Sequence, residues 1–294
     1  MQFKEKLLFF LKKHVLLKKI IRLFYFSCRI IFVFFVTYIL FPIKGILRLC
    51  FYYKYQYLLT LKKIKNTASN DRCFIIATGP SLKGEDVEIL HKKNEITYGL
   101  NSVFKLYEKF GYKPTYYVYA DDDDVKKLLS ETNNTFFTDK AEIYSFTDLS
   151  VINKDIKNDR KLLFIPYNRF LHGYKTIFDY HFKFSLNAVY GFFDYYTVTA
   201  LAINIAAYMG YKKIYLLGVD CNYMGKAMHA KGMETGLENG ATDKMKLYTA
   251  YSMKKGYEYL NQKLLKHGIR VYNATRGGEL EVFPRVDFDE LVKE

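Results

Sequence analysis

Hydrophobic and polar positions divide the chain into two unlike parts. The first is the stretch LFYFSCRIIFVFFVTYILFPIKGILRLCFYY, Leu23 to Tyr53, which is almost continuously apolar. The second begins near residue 72, where short apolar runs alternate with amphipathic ones. CFIIATG predicts a buried strand ending in a turn, and EDVEILHKK follows with helical spacing. EITYGLN, TYYVYADDDD, KKIYLLGVDCNY and IRVYNAT predict further strands. SVFKLYEKFGY, DVKKLLSET, YYTVTALAINIAAYMGY and LYTAYSMKKGYEYLNQKLLKHG predict helices, the last two closed by Gly210 and Gly268. Strands alternating with helices imply an α/β fold with a mainly parallel sheet and helices on both faces. The resulting division is a membrane-association segment over residues 1–70 and a catalytic domain over residues 71–294.

Charge sharpens this division. The chain of 294 residues carries a net charge of +15. Residues 1–72 contribute +13 of it, from 15 basic and two acidic residues, and the remainder is close to balanced. A nucleic-acid enzyme concentrates its basic patch on the folded domain, so nucleic acid is not the expected partner. An anionic membrane surface is. The uninterrupted apolar core from Ile30 to Ile43 is short for a span, which takes roughly 20 residues. Extension back to Leu23 supplies the length but includes Arg29. The pattern predicts helices lying in the membrane interface, with Lys12, Lys13, Lys18 and Lys19 toward headgroups. A single span and a hairpin packed on the domain are the alternatives. Long basic flanks and the lack of a small-residue cleavage site argue against a signal peptide. Cys28, Cys50, Cys73 and Cys221 form no paired motif and suit a reducing compartment. The expected location is the cytosolic side of a membrane.

Ligands of parallel sheets bind beyond the C-terminal strand ends, and four such ends carry candidate chemistry. Gly79-Pro80-Ser81 offers close backbone approach to a phosphate, with Ser81 as a phosphate ligand or helix cap; a plain turn is the alternative. Asn101 can read a base or sugar hydroxyl, or cap a helix. Asp121 to Asp124 crowd four carboxylates, which a cation would relieve. Asp121 is the candidate ligand for Mg²⁺ or a hydroxyl, while Asp123 and Asp124 suit a helix N-terminus. Asp220 either binds the ligand or fixes the loops around it. Among the histidines, His229 follows the GVDCNY strand end closely enough to reach the sheet edge and is the candidate general base.

The ordered segments GPSL, GLNSVFKLYEKFGYKPTYYVYADD, ALAINIAAYMGYKKIYLLGVDCNY and VYNATRGGELEVFPRVDFDEL resemble the 6-hydroxymethylpterin diphosphokinase MptE-like domain. They are also similar to bacterial sialyltransferases of glycosyltransferase family 42, which bind CMP-sialic acid on a Rossmann-like domain. The resemblance covers roughly residues 73 to 292. It implies that Thr78, Gly79, Pro80 and Ser81 form a nucleotide loop, with Thr78 where the sialyltransferases have asparagine. It implies nucleotide contact at Asn101 and phosphate stabilisation near Tyr223. The family's catalytic histidine falls near Tyr248, and Asp121 follows the metal-assisted MptE-like pattern. The implied function is transfer of a sugar from a nucleotide-sugar donor, CMP-linked by preference and with Mg²⁺ as an optional cofactor, to a surface or lipid-linked glycan. The alternatives are a Mg²⁺-dependent pterin-type diphosphokinase and a non-catalytic membrane scaffold. Self-association is left open.

Overall fold

β1 (Arg72–Ile76) is an interior strand of the sheet, as its apolar sequence requires: Cys73, Phe74, Ile75 and Ile76 are all completely buried. A strand apolar on both faces must be covered on both. The computed structural model describes residues 15–51, 56–103, 105, 113–120, 142–146, 162–168, 183–223, 229–230 and 242–293. Around β1 stand β2 (Thr97–Leu100), β3 (Tyr116–Tyr119), β4 (Glu142–Phe146), β5 (Leu162–Asn168), β6 (Phe192–Phe193), β7 (Lys213–Leu217) and β8 (Arg270–Asn273). Their order is β6-β5-β4-β3-β2-β1-β7-β8, with each neighbouring pair parallel. The mainly parallel α/β sheet expected from the alternating pattern is thus present.

The chain divides into two compact units, Met1–Ile46 and Leu47–Glu294. In the N-terminal part, α1 (Val15–Phe35), a π-helical turn (Val36–Leu40) and α2 (Phe41–Phe51) follow one another without a break. The segment Leu17–Phe51 is long and apolar enough to cross a membrane by length and composition. Leu23, Phe24, Tyr25 and Ile31 each leave more than 60% of their surface exposed. The second unit takes in part of the segment before residue 71. In α3 (Gln56–Lys63), Leu58 and Leu61 are fully buried, and the Leu61 carbonyl accepts the hydroxyl of Tyr208 at 2.9 Å.

Of the covering helices, α4 (Gly84–Lys92) follows β1 and α5 (Val198–Met209) precedes β7. α5 is buried at every residue from Thr199 to Met209, which is why its sequence is apolar all round. Thr197 caps its start, and Gly210, at φ +110°, ends it in a left-handed turn as the sequence predicts. α6 (Asp243–Leu265) precedes β8 and presents Ser252, Met253, Gly256, Tyr257, Leu260 and Leu264 to the interior. The short α7 (Phe288–Leu291) closes the chain. The predicted helices over SVFKLYEKFGY and DVKKLLSET lie almost wholly outside the described residues.

From β1 the strands run outward to β6 on one side, and α5 then leads the chain back to β7 on the other. The strand order therefore reverses between β1 and β7. In an open parallel sheet this is where a crevice opens for ligand.

Candidate functional site

The backbones leaving β1 and β7 stay paired beyond the strands. Ala77 N–H donates to the Leu217 carbonyl at 2.9 Å, and Gly79 N–H to the Gly218 carbonyl at 2.7 Å. This brings GPSL against GVD without room for side chains. A β-carbon on Gly218, whose φ is +65°, would stand 2.6 Å from the Ala77 carbonyl oxygen. One on Gly79 would stand 2.0 Å from Asp220 Oδ2.

Asp220 fills that space and is 6% exposed. Its Oδ2 accepts the Ser81 hydroxyl at 2.8 Å and the Ser81 N–H at 3.4 Å. Burial pushes its carboxyl above the ordinary range, against the pull of the Ser81 bonds and of Arg285. Ser81 is therefore joined to Asp220 and is not the cap of α4. The capping position is Lys83, and the first turn of α4 already carries Glu85 and Asp86. Pro80 lies exposed in the turn between Gly79 and Ser81.

A second pairing crosses the same edge. Thr78 Oγ1 lies 2.7 Å from His229 Nδ1, and the Thr78 carbonyl accepts the Ala230 N–H, also at 2.7 Å. The candidate base named from sequence thus stands at the end of the central strand. Asn101 occupies the end of β2, half-buried, where it opens a 3-10 turn (Asn101–Val103) at φ +47°. Asparagine tolerates that left-handed conformation better than most residues. Tyr223 is half-buried three residues beyond Asp220, and burial, with Cys221 and Tyr257 nearby, holds its phenol well above the usual range. Tyr248 stands half-buried in the first half of α6. Hydrogen bonds join Thr78 to His229 and Ser81 to Asp220; Asn101 follows β2, Tyr223 lies in the loop after β7 and Tyr248 lies on α6. Burial, with Asp220 and Glu279 adjacent, pushes the Cys221 thiol up to about 12, which disfavours its thiolate.

A wall that the strand-end reasoning did not single out comes from the loop after β8. Its residues Gly277 and Gly278 approach the cluster closely. A β-carbon on Gly277 would lie 3.6 Å from that of Ser81, and one on Gly278 (φ +79°) would lie 2.4 Å from the Asp220 Cα. Glu279 N–H donates to the Asp220 carbonyl at 2.6 Å. Arg285 holds the loop in shape by donating to the carbonyls of Thr275, Gly277 and Gly278. Arg276 ties it to α4, with both Nε and Nη2 on the Asp86 carboxylate and further bonds to Asp289. The Arg-Gly-Gly run was the available signal.

Asp121 to Asp124, and with them the candidate metal ligand Asp121, lie outside the described residues. Among the described residues, no group of three or more His, Cys, Asp or Glu side chains is gathered to hold a metal ion.

Comparison with known proteins gives similar structures and a family. Over 78% of its length the chain is similar in structure to the Maf glycosyltransferase of Magnetospirillum magneticum AMB-1, with 14% identity and a TM-score of 0.47; the chain spans 37% of that protein. Over 74% of its length it is similar to the sialyltransferase CstII of Campylobacter jejuni, solved with cytidine-5'-monophosphate, with 14% identity, a TM-score of 0.43 and 86% of that chain covered. No curated protein matches. Residues 50–226 match the family described as 6-hydroxymethylpterin diphosphokinase MptE-like. That match takes in the central β1 and β7, the Gly-Pro-Ser turn, Asn101 and Asp220, and by it the chain belongs to the 6-hydroxymethylpterin diphosphokinase MptE-like family.

Proposed function

We propose that the protein is a glycosyltransferase that moves a sugar from a nucleotide-sugar donor, CMP-linked by preference, to a hydroxyl of a glycan or lipid-linked acceptor. The observation that carries this reading is the position of His229. An imidazole held 2.7 Å from Thr78 stands at the β1/β7 crossover, where sheets of this kind take nucleotides. There it is suited to remove the proton of an incoming hydroxyl. Tyr223 beyond β7 is the neutral donor suited to the departing phosphate. The apolar, basic N-terminal helix supports attachment to an anionic membrane surface, at the cytoplasmic face, where a lipid-carried acceptor would be within reach.

The test is thermal melting of the full chain in detergent with CMP, CMP-sialic acid and UDP- and GDP-sugars. A nucleotide present at 100 times its Kd stabilises by roughly 2.7 kcal/mol, a readily measured rise in melting temperature. Unchanged melting with every one of these compounds would sink the reading.

Family membership favours a second reading, pyrophosphoryl transfer from ATP to a small alcohol such as a pterin. Its Mg²⁺ ligand would be Asp121. Formation of a pyrophosphorylated pterin from ATP, with sugar nucleotides inert, would decide for it.

A further inference from the structure

Two separate contacts run from Thr78 to the segment that carries His229. The side-chain Oγ1 meets Nδ1 of the ring, and the backbone carbonyl accepts the N–H of the next residue, Ala230. Thr78 is itself 5% exposed and lies between Ala77 and Gly79, both bonded to carbonyls at the end of β7. The position of its hydroxyl is thus set by the paired strands β1 and β7. A ring held through its own nitrogen and through the adjoining peptide is restrained in direction as well as in distance.

We propose that Thr78 is the positioning residue of His229, with Thr78 Oγ1 accepting Nδ1–H, so that the proton of the reacting hydroxyl is taken at Nε2. This rests on the reading of His229 as the general base. In the step, the acceptor O–H bond breaks and its proton passes to Nε2. The acceptor oxygen forms its bond to the anomeric carbon, and the bond from that carbon to the phosphate oxygen breaks, its electron pair leaving with the nucleotide. The imidazolium keeps its Nδ1–H on Thr78 and afterwards returns the other proton to solvent. A bond from a charged donor is stronger than one from a neutral donor, so the Thr78 contact tightens as the charge develops. A hydroxyl suits this place better than a carboxylate, because it orients the ring without setting a negative charge beside the donor's phosphate.

The experiment is nitrogen NMR of the full chain, labelled with ¹⁵N-histidine and held in detergent, for the native protein, Thr78→Ser and Thr78→Val. His229 signals are assigned by their loss in His229→Gln. At a pH where the ring is neutral, the native protein and Thr78→Ser should show Nδ1 protonated, and Thr78→Val should move toward the Nε2–H form. An Nε2–H ring in the native protein, or the same ring in all three, overturns the proposal, and the native spectrum alone suffices if Thr78→Val fails to fold. In donor turnover, Thr78→Val should lower kcat by part of the roughly 10²–10⁴-fold that a placed base supplies. Thr78→Ser, which keeps the hydroxyl, should recover most of that loss. A Thr78→Val rate equal to native also overturns it. The spectra need no substrate. Absence of CMP binding in the same samples would therefore count against the nucleotide-sugar reading and leave the Thr78 assignment separately judged.

Discussion

Asp220 Oδ2 stands 2.0 Å from the place a β-carbon on Gly79 would take, and the Gly218 carbonyl oxygen is 2.4 Å from the same point. Position 79 is thus restricted to glycine by lack of space. Both obstacles belong to the central framework, so neither yields without breaking a bond. Gly79→Ala should push Asp220 away from Ser81 and cost about 1–3 kcal/mol for the overpacking. The displaced hydrogen bond to a charged group adds roughly 1.5–3 kcal/mol. Urea denaturation measures this, and a variant as stable as the native protein would contradict the geometry.

Asp220 also predicts a pH dependence. Its carboxyl is raised, first by burial. A group whose folded-state pKa is raised contributes stability fully below its unfolded value, about 4 for aspartate, and loses it as the pH rises through the folded value. Asp220→Asn keeps an acceptor for Ser81 and does not titrate. The stability of the native protein relative to this variant should fall as the pH climbs from about 4 and level off above the folded pKa. Denaturation at stepped pH values reads the difference, and a constant difference would contradict the prediction.

Arg276 closes the loop after β8 onto α4. Asp86 is 2% exposed and depends on that guanidinium, to which it is joined by Nε and Nη2. Arg276→Ala would leave a buried carboxylate unpaired, a loss of about 3–5 kcal/mol. Removing both charges in Arg276→Ala/Asp86→Ala should recover part of it. A double-mutant cycle by chemical denaturation checks this, and simple additivity of the two losses would show that the pair is not coupled.

Arg29 divides the apolar helix at its N-terminus. Lys18, Arg22 and Arg29 fall within roughly 40° of one another around α1 at a helical period, which suits a helix lying in the membrane plane. Replacing Arg29 by Leu leaves Leu23 to Ile43 free of charge, long enough to span. Alkaline carbonate should release the native protein from membranes and retain Arg29→Leu. Retention of both would show that the native helix already spans.

The linear pattern alone carried the fold a long way. Alternation of short apolar runs with amphipathic ones, and glycines placed as helix stops at 210 and 268, sufficed for a parallel α/β sheet. These features act between near neighbours in the chain, and hydrophobic period and capping read them directly. The strand ends were also legible, because polar residues following an apolar run mark where a strand leaves the core. In this way Gly79, Ser81, Asn101, Asp220 and His229 came into view.

What those residues do to one another was decided by the tertiary structure. Ser81 reads in sequence as a phosphate ligand or a cap for the next helix, yet it gives its hydroxyl to a carboxylate 139 positions further on. His229 reads as a lone loop histidine, yet it meets Thr78 across 151 positions. Gly277 and Gly278 follow the last predicted strand without a chemical side chain to mark them, and still form a wall of the site. Each of these contacts depends on β7 pairing beside β1 and β8 beside β7, after the chain has travelled to the far edge of the sheet and returned. The sequence by itself determined which local elements form and where polar groups leave the core. Strand order determined which of those groups meet, because hydrogen bonds and the space left for a side chain reach only a few ångströms, and only the assembled sheet fixes what lies within them.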